Sequence, residues 1–223
     1  MEEIKHVNLS YDVTKQNPLS FVENVKDGEH GCLLYLEEWD KQRILFHFLA
    51  RSLSDGYYCV YATATQSIDE AKSSMKIHGL EPNNKDSDCL LVVKGEDLYE
   101  NPDEPNIKKW LASVETTYEK SIKIGKKGLR IAADLSSYFL SRGLLQQWFD
   151  LESSLGAKFK NKIAIICAYD AGEAPSRDAL SVLNFYKKLQ SEEHGALEVH
   201  SFALIPVALE EENLVVRFSQ SST

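Results

Sequence analysis

The chain has 223 residues, a formal net charge of −9 and 43% hydrophobic residues. This length is sufficient for one sizeable hydrophobic core, and the hydrophobic content excludes a disordered or collagen-like chain. The acidic balance disfavours a nucleic-acid-binding surface, which would need Lys and Arg in excess. We therefore expect one globular domain that does not bind nucleic acid directly.

No apolar segment approaches the roughly 18 residues that span a bilayer, and the first residues lack the basic and apolar regions of a signal peptide. We expect a cytoplasmic protein with no membrane partner. Four cysteines lie in or beside apolar, strand-like segments, and none forms a CxxC pair. They are expected to be buried free thiols in a reducing compartment: Cys32, Cys59, Cys89 and Cys167.

The elements predicted in chain order begin with a weakly patterned arm. Residues 1–29 are polar, with one short strand expected near residues 7–13. From residue 30 to 223, strand-length apolar segments alternate with segments of helical periodicity, which is typical of βαβ units around a parallel sheet. The elements predicted for this single domain are strand 31–36, helix 40–54, strand 57–63, a helix between Ser67 and Gly79, strand 89–93, a helix from about 105 to 125, strand 129–133, helix 141–155, strand 162–168 and a helix starting at Ser176.

The last part of the chain changes pattern. Residues 203–209 and 214–218 are apolar and flank Glu210-Glu211-Glu212-Asn213. Two apolar strands around a polar turn predict an antiparallel hairpin at one edge of the sheet. The predicted fold class is α/β, with three layers, a mainly parallel sheet and a C-terminal antiparallel hairpin.

The loop between strand 31–36 and its helix cannot cradle phosphate. It reads Leu36-Glu37-Glu38-Trp39-Asp40, with no glycine and with Lys41 only beyond it. A phosphate-binding loop needs GxxxxGK[ST] at this place, because glycines let the backbone approach phosphate and lysine neutralises it. GxGxxG, GxSxG and HExxH are also absent from the sequence. We therefore expect no enzymatic activity, and we predict no cofactor.

Ligands of an open parallel sheet bind beyond the carboxyl ends of its strands. The residues at those ends include tyrosines, which more often plug a sheet edge but together could line an aromatic pocket with hydroxyl tips. Asp134 could contact a polar ligand there, or instead cap a turn at Ser136 or Ser137. The candidate ligand-binding residues at the strand ends are Tyr35, Trp39, Tyr61, Asp134, Tyr169 and Asp170.

Three candidates lie elsewhere. Glu152 has helical spacing with Trp148 and Leu155, on a stripe expected to be buried. A carboxylate there must be a structural acceptor or part of a polar pocket, so it joins the candidate ligand-binding residues.

His30 and Cys32 share one face of a strand. They could bind metal or form a thiol–imidazole pair, or they could be a packed cysteine and a backbone-bonded histidine. Because two ligands do not make a metal site, none is predicted.

Several of these segments together resemble the MEDS domain, a sensory domain named from methanogens, methylotrophs and the dichloromethane-responsive repressor DcmR. The resemblance spans residues 28–194 and implies a RecA- and KaiC-like fold that has lost its nucleotide loop. It also implies a role in sensing small molecules such as hydrocarbon derivatives. The segments that carry it are Gly28–Tyr35, Gly56–Tyr61, Gly128–Asp134, Glu152, Cys167–Asp170 and His194.

Three functions are compatible with these features. The principal expectation is a non-enzymatic sensory or regulatory domain that binds an unidentified small ligand at the strand ends. It would signal through a regulatory protein partner in trans or through a homo-oligomer. The alternatives are a protein–protein interaction scaffold without a ligand, and a divergent nucleotide-binding enzyme that uses Asp134 and Glu152.

Overall fold

One eight-stranded sheet organises the chain. The computed structural model describes residues 11–81, 87–95, 97, 107–135, 138–139, 142–158, 163–172, 200–206 and 213–218. The helices and strands, in chain order, are β1 (Tyr11–Lys15), α1 (Pro18–Val22), β2 (His30–Tyr35), α2 (Glu38–Ser54), β3 (Tyr58–Thr63), α3 (Ile68–Ile77), β4 (Leu90–Lys94), α4 (Ile107–Lys123), β5 (Leu129–Asp134), α5 (Leu145–Lys158), β6 (Ile163–Asp170), β7 (Phe202–Ile205) and β8 (Leu214–Phe218).

The strand order is β1-β8-β7-β2-β6-β5-β3-β4. Neighbours from β7 to β4 pair in parallel, whereas β8 pairs antiparallel with both β7 and β1. The predicted α/β class, mainly parallel sheet and C-terminal antiparallel hairpin are therefore confirmed, but β1 and not the hairpin forms that edge of the sheet. The helix predicted from Ser176 and residues 207–212 of the tail lie outside the described residues.

Helices cover both faces of the sheet, which makes three layers. On one face, Phe46 of α2 packs edge-on against Tyr61 of β3, and α1 and α3 contact α2. On the other face, Trp148 of α5 packs against Tyr169 of β6, and α4 contacts α5. All residues of β2, β3 and β5 are consequently buried, as expected for strands covered on both faces. No helix in the described ranges is long and apolar enough to cross a membrane.

The helix ends follow local signals in the sequence. Ser67 caps α3 by accepting a hydrogen bond from Glu70 N, and the Glu70 carboxylate accepts one from Ser67 N at 2.8 Å. This is the capping box that the sequence predicts. Gly56 follows α2 with a φ of 90°, a left-handed conformation that glycine adopts without strain.

Residues 11–29, predicted as part of an arm, contribute to the sheet and the core. β1 pairs along its length with β8, and α1 buries Phe21 and Val22. The predicted strand near residues 7–13 is displaced to 11–15, and residues 1–10 lie outside the described ranges. The pattern was weak because β1 is an edge strand, and because one pair of apolar residues is too short to show helical periodicity.

Candidate functional site

The candidate residues form two clusters on opposite faces of the sheet. Consecutive residues of a strand face opposite sides, and Tyr35 is in register with Asp170 whereas Leu34 is in register with Tyr169. The strand-end residues therefore do not converge on one crevice, since Tyr169 faces α5 whereas Tyr61 faces α2. We name the group on the α2 face the strand-end cluster; its members are Tyr35, Glu38, Lys41, Tyr61, Thr63, Thr65 and Asp134. We name the group on the α5 side the histidine cluster; its members are His30, Glu152, Cys167, Tyr169 and His200.

A buried ion pair forms the centre of the strand-end cluster. Lys41 Nζ lies 2.6 Å from Asp134 Oδ2 and 2.8 Å from Glu38 Oε1. Lys41 is fully buried and Asp134 is 2% exposed, whereas the Glu38 side chain is 48% exposed. Glu38 is thus the solvent-facing partner of the lysine. The ion pair lies at the carboxyl ends of the strands, beside the loop where a phosphate-binding loop would stand.

Neutral donors complete the environment of Asp134. The Ala64 backbone N–H donates to Oδ1 at 2.8 Å, and the Thr65 hydroxyl donates to Oδ2 at 2.8 Å. Thr63 and the Tyr61 hydroxyl lie at 3.3–3.4 Å, because β3 runs beside β5 with Thr63 opposite Asp134. The aspartate therefore acts as a multiple acceptor between α2 and β3. The alternative partners Ser136 and Ser137 lie outside the described residues.

Tyr35 lies within the strand-end cluster, whereas Trp39 and Asp170 lie outside it. The Tyr35 ring lies 5.2 Å from Lys41 Nζ, and burial together with the charges of Asp170 and Asp134 raises the pKa of Tyr35. Trp39 is 57% exposed and packs on His78, with 4.2 Å between ring centroids. Asp170 is exposed at the end of β6, where its Oδ1 accepts a hydrogen bond from Gly172 N.

His78, against which the exposed Trp39 packs, makes the free energy of unfolding depend on pH. Burial, and then the charge of Arg43, lower the pKa of His78 below its usual 6.5. Because the folded state has the lower pKa, the unfolded chain binds more protons, and the free energy of unfolding falls as pH drops through 6.5 towards the folded-state pKa. We expect an NMR titration of the His78 ring to have its midpoint below 6.5, and His78→Gln to remove this part of the acid-side loss. A midpoint at or above 6.5 would contradict the prediction.

The histidine cluster is entirely buried. His30 Nε2 lies 3.2 Å from Glu152 Oε2 and 3.5 Å from Cys167 Sγ, and His200 Nε2 lies 3.5 Å from the same Glu152 oxygen. The Tyr169 hydroxyl lies 3.2 Å from His200 Nε2. Nitrogen, oxygen and sulfur atoms of His30, Glu152, Cys167 and His200 all lie within 4.8 Å of one another.

The strand order brings this cluster together. His30 is the first residue of β2, and β2 lies between β6 and β7 in the sheet. Cys167 belongs to β6, and His200 lies two residues before β7. Both residues are therefore close to His30. Glu152 comes from α5 above this part of the sheet. The sequence allows a thiol–imidazole pair of His30 with Cys32, whereas the thiol next to the His30 ring is that of Cys167. The family-implied His194 lies outside the described residues.

Glu152 is the charged centre of the histidine cluster. Burial by itself would raise the pKa of its carboxyl, but hydrogen bonds and charge from His200 and His30 hold that pKa well below the ordinary value. Burial and the negative charge of Glu152 raise the pKa of the Cys167 thiol. The glutamate is therefore a buried acceptor for two histidines.

The sequence model of the family described as "MEthanogen/methylotroph, DcmR Sensory domain", MEDS, matches residues 29–185. The chain belongs to the MEDS family. The predicted resemblance is confirmed, and membership supports a sensory or regulatory role, because MEDS is a family of sensory domains.

The fold of this MEDS domain is similar to that of a KaiC-like protein. The crystal structure of the KaiC-like protein PH0186 from the hyperthermophilic archaeon Pyrococcus horikoshii OT3 superposes with a TM-score of 0.51 at 15% sequence identity. The match covers 86% of this chain and 79% of that chain. At this identity the likeness concerns the fold, and it confirms the predicted KaiC-like architecture. No curated protein sequence matches the chain significantly.

Proposed function

We propose that this MEDS domain is a non-enzymatic sensor that binds a small ligand at the strand-end cluster and signals through a protein partner or a second copy. The observation that carries the proposal is the buried pair of Lys41 and Asp134, whose remaining charged partner, Glu38, is half-exposed. Absence of the common nucleotide and hydrolase motifs from the sequence supports the non-enzymatic part.

Stability alone is a weak reason for this ion pair. A buried ion pair loses hydration that its mutual attraction offsets only partly, and apolar residues of similar volume often stabilise a fold equally well or better. Ligands of α/β sheets bind at the carboxyl ends of the strands, so charged groups buried there are candidates for function. Lys41 and Asp134 lie at these strand ends.

The neighbouring residues favour one class of ligand. A ligand oxygen could take the place of Glu38 at Lys41, since the carboxylate can move into solvent and the lysine cannot. Glu37, Glu38 and Asp40 repel anions, and the exposed Trp39 ring offers an apolar surface. These features favour a small, partly apolar, uncharged molecule with a hydroxyl or carbonyl oxygen.

The test is a thermal-shift and calorimetric screen with small alcohols, ketones and amides. We expect at least one class to raise the melting temperature saturably. Glu38→Ala should bind that compound more tightly, because it removes the competitor for Lys41. Glu37→Ala is the matched control, since it removes a neighbouring charge while the Glu38 carboxylate stays.

Two results of this screen would contradict the proposal. If no compound shifts the melting temperature of either the wild-type protein or Glu38→Ala, the strand-end ligand site is wrong. Tighter binding by Glu37→Ala to the same extent as by Glu38→Ala would show a general charge effect. Either result would leave the histidine cluster untouched, because it lies on the opposite face of the sheet.

A further inference from the structure

The histidine cluster contains four side chains of the types that bind transition metals, from four separate segments of the fold. They are the imidazoles of His30 and His200, the carboxylate of Glu152 and the thiol of Cys167. Each is at most 6% exposed. Clusters of exposed acidic groups are common on protein surfaces, but a buried set with two imidazoles and a thiol needs a specific reason.

Three interatomic distances in the histidine cluster match the edges of a tetrahedral metal site. Zinc bonds of about 2.0–2.1 Å to nitrogen and oxygen and about 2.3 Å to sulfur give edges of about 3.3 Å between nitrogen and oxygen and about 3.6 Å between nitrogen and sulfur. His30 Nε2 lies 3.2 Å from Glu152 Oε2 and 3.5 Å from Cys167 Sγ. His200 Nε2 lies 3.5 Å from Glu152 Oε2. The remaining pairs lie within 4.8 Å, so closure needs the ligand atoms of a pair to approach each other by about 1.5 Å at most.

The charges also balance. One carboxylate, one thiolate and two neutral imidazoles around a divalent cation have no net charge, which suits a site without access to water. A divalent ion at this place would give the buried Glu152 carboxylate a full counter-charge. A monovalent or trivalent ion would leave a net charge in the interior.

We propose that His30, Glu152, Cys167 and His200 form a four-ligand site for a divalent transition-metal ion, with Zn²⁺ the best match. Mixed nitrogen, sulfur and oxygen ligands in tetrahedral arrangement are typical of zinc, whereas magnesium and calcium prefer oxygen alone. The proposal does not depend on the ligand site at the strand ends.

The expected role of the ion is structural. Four protein ligands leave no open position for a substrate, which is the pattern of structural rather than catalytic zinc sites. The ion would join α5 to β2, β6 and the segment before β7, and so link the helical layer to the sheet. Binding would also take His200 Nε2 from its hydrogen bond with the Tyr169 hydroxyl.

The test uses Co²⁺ as a spectroscopic substitute for Zn²⁺. The chelator-treated 223-residue protein is titrated with Co²⁺, both in the native state and during refolding from urea so that burial does not block entry. We expect one equivalent to bind, with the intense visible bands of tetrahedral cobalt and a thiolate-to-cobalt charge-transfer band. Zn²⁺ should displace Co²⁺ and raise the melting temperature.

Variants assign the ligands. Cys167→Ala should lose the charge-transfer band and weaken Co²⁺ binding by at least about 100-fold, since even outer partners of metal ligands are worth 10–100-fold. Cys59→Ala is the matched control: its thiol is equally buried but bonds Leu49 O on the α2 side, so the wild-type spectrum should persist. Tyr169→Phe should also retain the spectrum.

Several results would overturn the proposal. Wild-type protein that binds no stoichiometric Co²⁺ or Zn²⁺ under either condition has no such site, and this arm does not depend on any variant folding. An octahedral spectrum without a thiolate band would indicate an adventitious surface ion. Persistence of the charge-transfer band in Cys167→Ala would assign the thiolate to another cysteine.

Discussion

Replacing Lys41 with methionine should lower the free energy of unfolding by about 3–5 kcal/mol at neutral pH. The substitution keeps the apolar stem of the side chain but leaves the Asp134 carboxylate buried without its cation at 2.6 Å. Removing one partner of a buried pair costs far more than the pair contributes, because the remaining charge is desolvated and uncompensated. Urea unfolding followed by circular dichroism measures the effect.

The double variant separates the charge from the packing. Lys41→Met with Asp134→Asn removes both charges, so its loss of stability should be smaller than the sum of the two single losses. Lys72→Met is the control, since Lys72 is exposed on α3 and should change the free energy of unfolding by at most about 0.5 kcal/mol. Equal losses for Lys41→Met and Lys72→Met would show that the buried pair is not formed in solution.

Gly31→Ala should destabilise the fold by about 3 kcal/mol. A Cβ atom at Gly31 would collide with two carbon atoms of the Phe202 ring. That ring is fully buried and packs edge-on against Phe21, with 4.9 Å between centroids, so it has little room to move. A close-packed interior accommodates an added methyl group only by shifting the side chains or backbone around it.

A second substitution tests this cause. Phe202→Leu in the Gly31→Ala background should recover part of the lost stability, because leucine leaves room for the new methyl group. If the slope of the free energy of unfolding against denaturant concentration is the same in each variant, the denaturant midpoints can be compared as free energies of unfolding. If Gly31→Ala unfolds at the wild-type denaturant concentration, the close packing of β2 against β7 is wrong.

The fold was largely predictable because its signals are local. Buried parallel strands are nearly continuous apolar segments, and the capping box at Ser67 and Glu70 marks the start of α3 within four residues. The absence of a phosphate loop is also a local property of residues 36–40. Such features need no knowledge of which strands are neighbours.

The partners within the two clusters depend on non-local geometry. Cys167 and His200 carry no motif, and only the order β7-β2-β6 brings them to His30. The separation of Tyr169 from Tyr61 needs the registers of β3 with β5 and of β5 with β6, which a strand pattern does not specify. Lys41 did have a local signal, since it precedes Ile44 and Leu45 by three and four residues on the buried stripe of α2. A charged residue on such a stripe indicates a buried partner.

The exposed indole of Trp39 gives the protein an intrinsic fluorescence signal close to the strand-end cluster. The chain has three tryptophans, and Trp110 and Trp148 are 3% and 9% exposed, whereas Trp39 is 57% exposed beside Glu38. A water-soluble quencher such as iodide or acrylamide therefore addresses the emission of Trp39 selectively. Occupancy of the neighbouring site can be followed in the unlabelled wild-type protein, without a dye or a fused reporter.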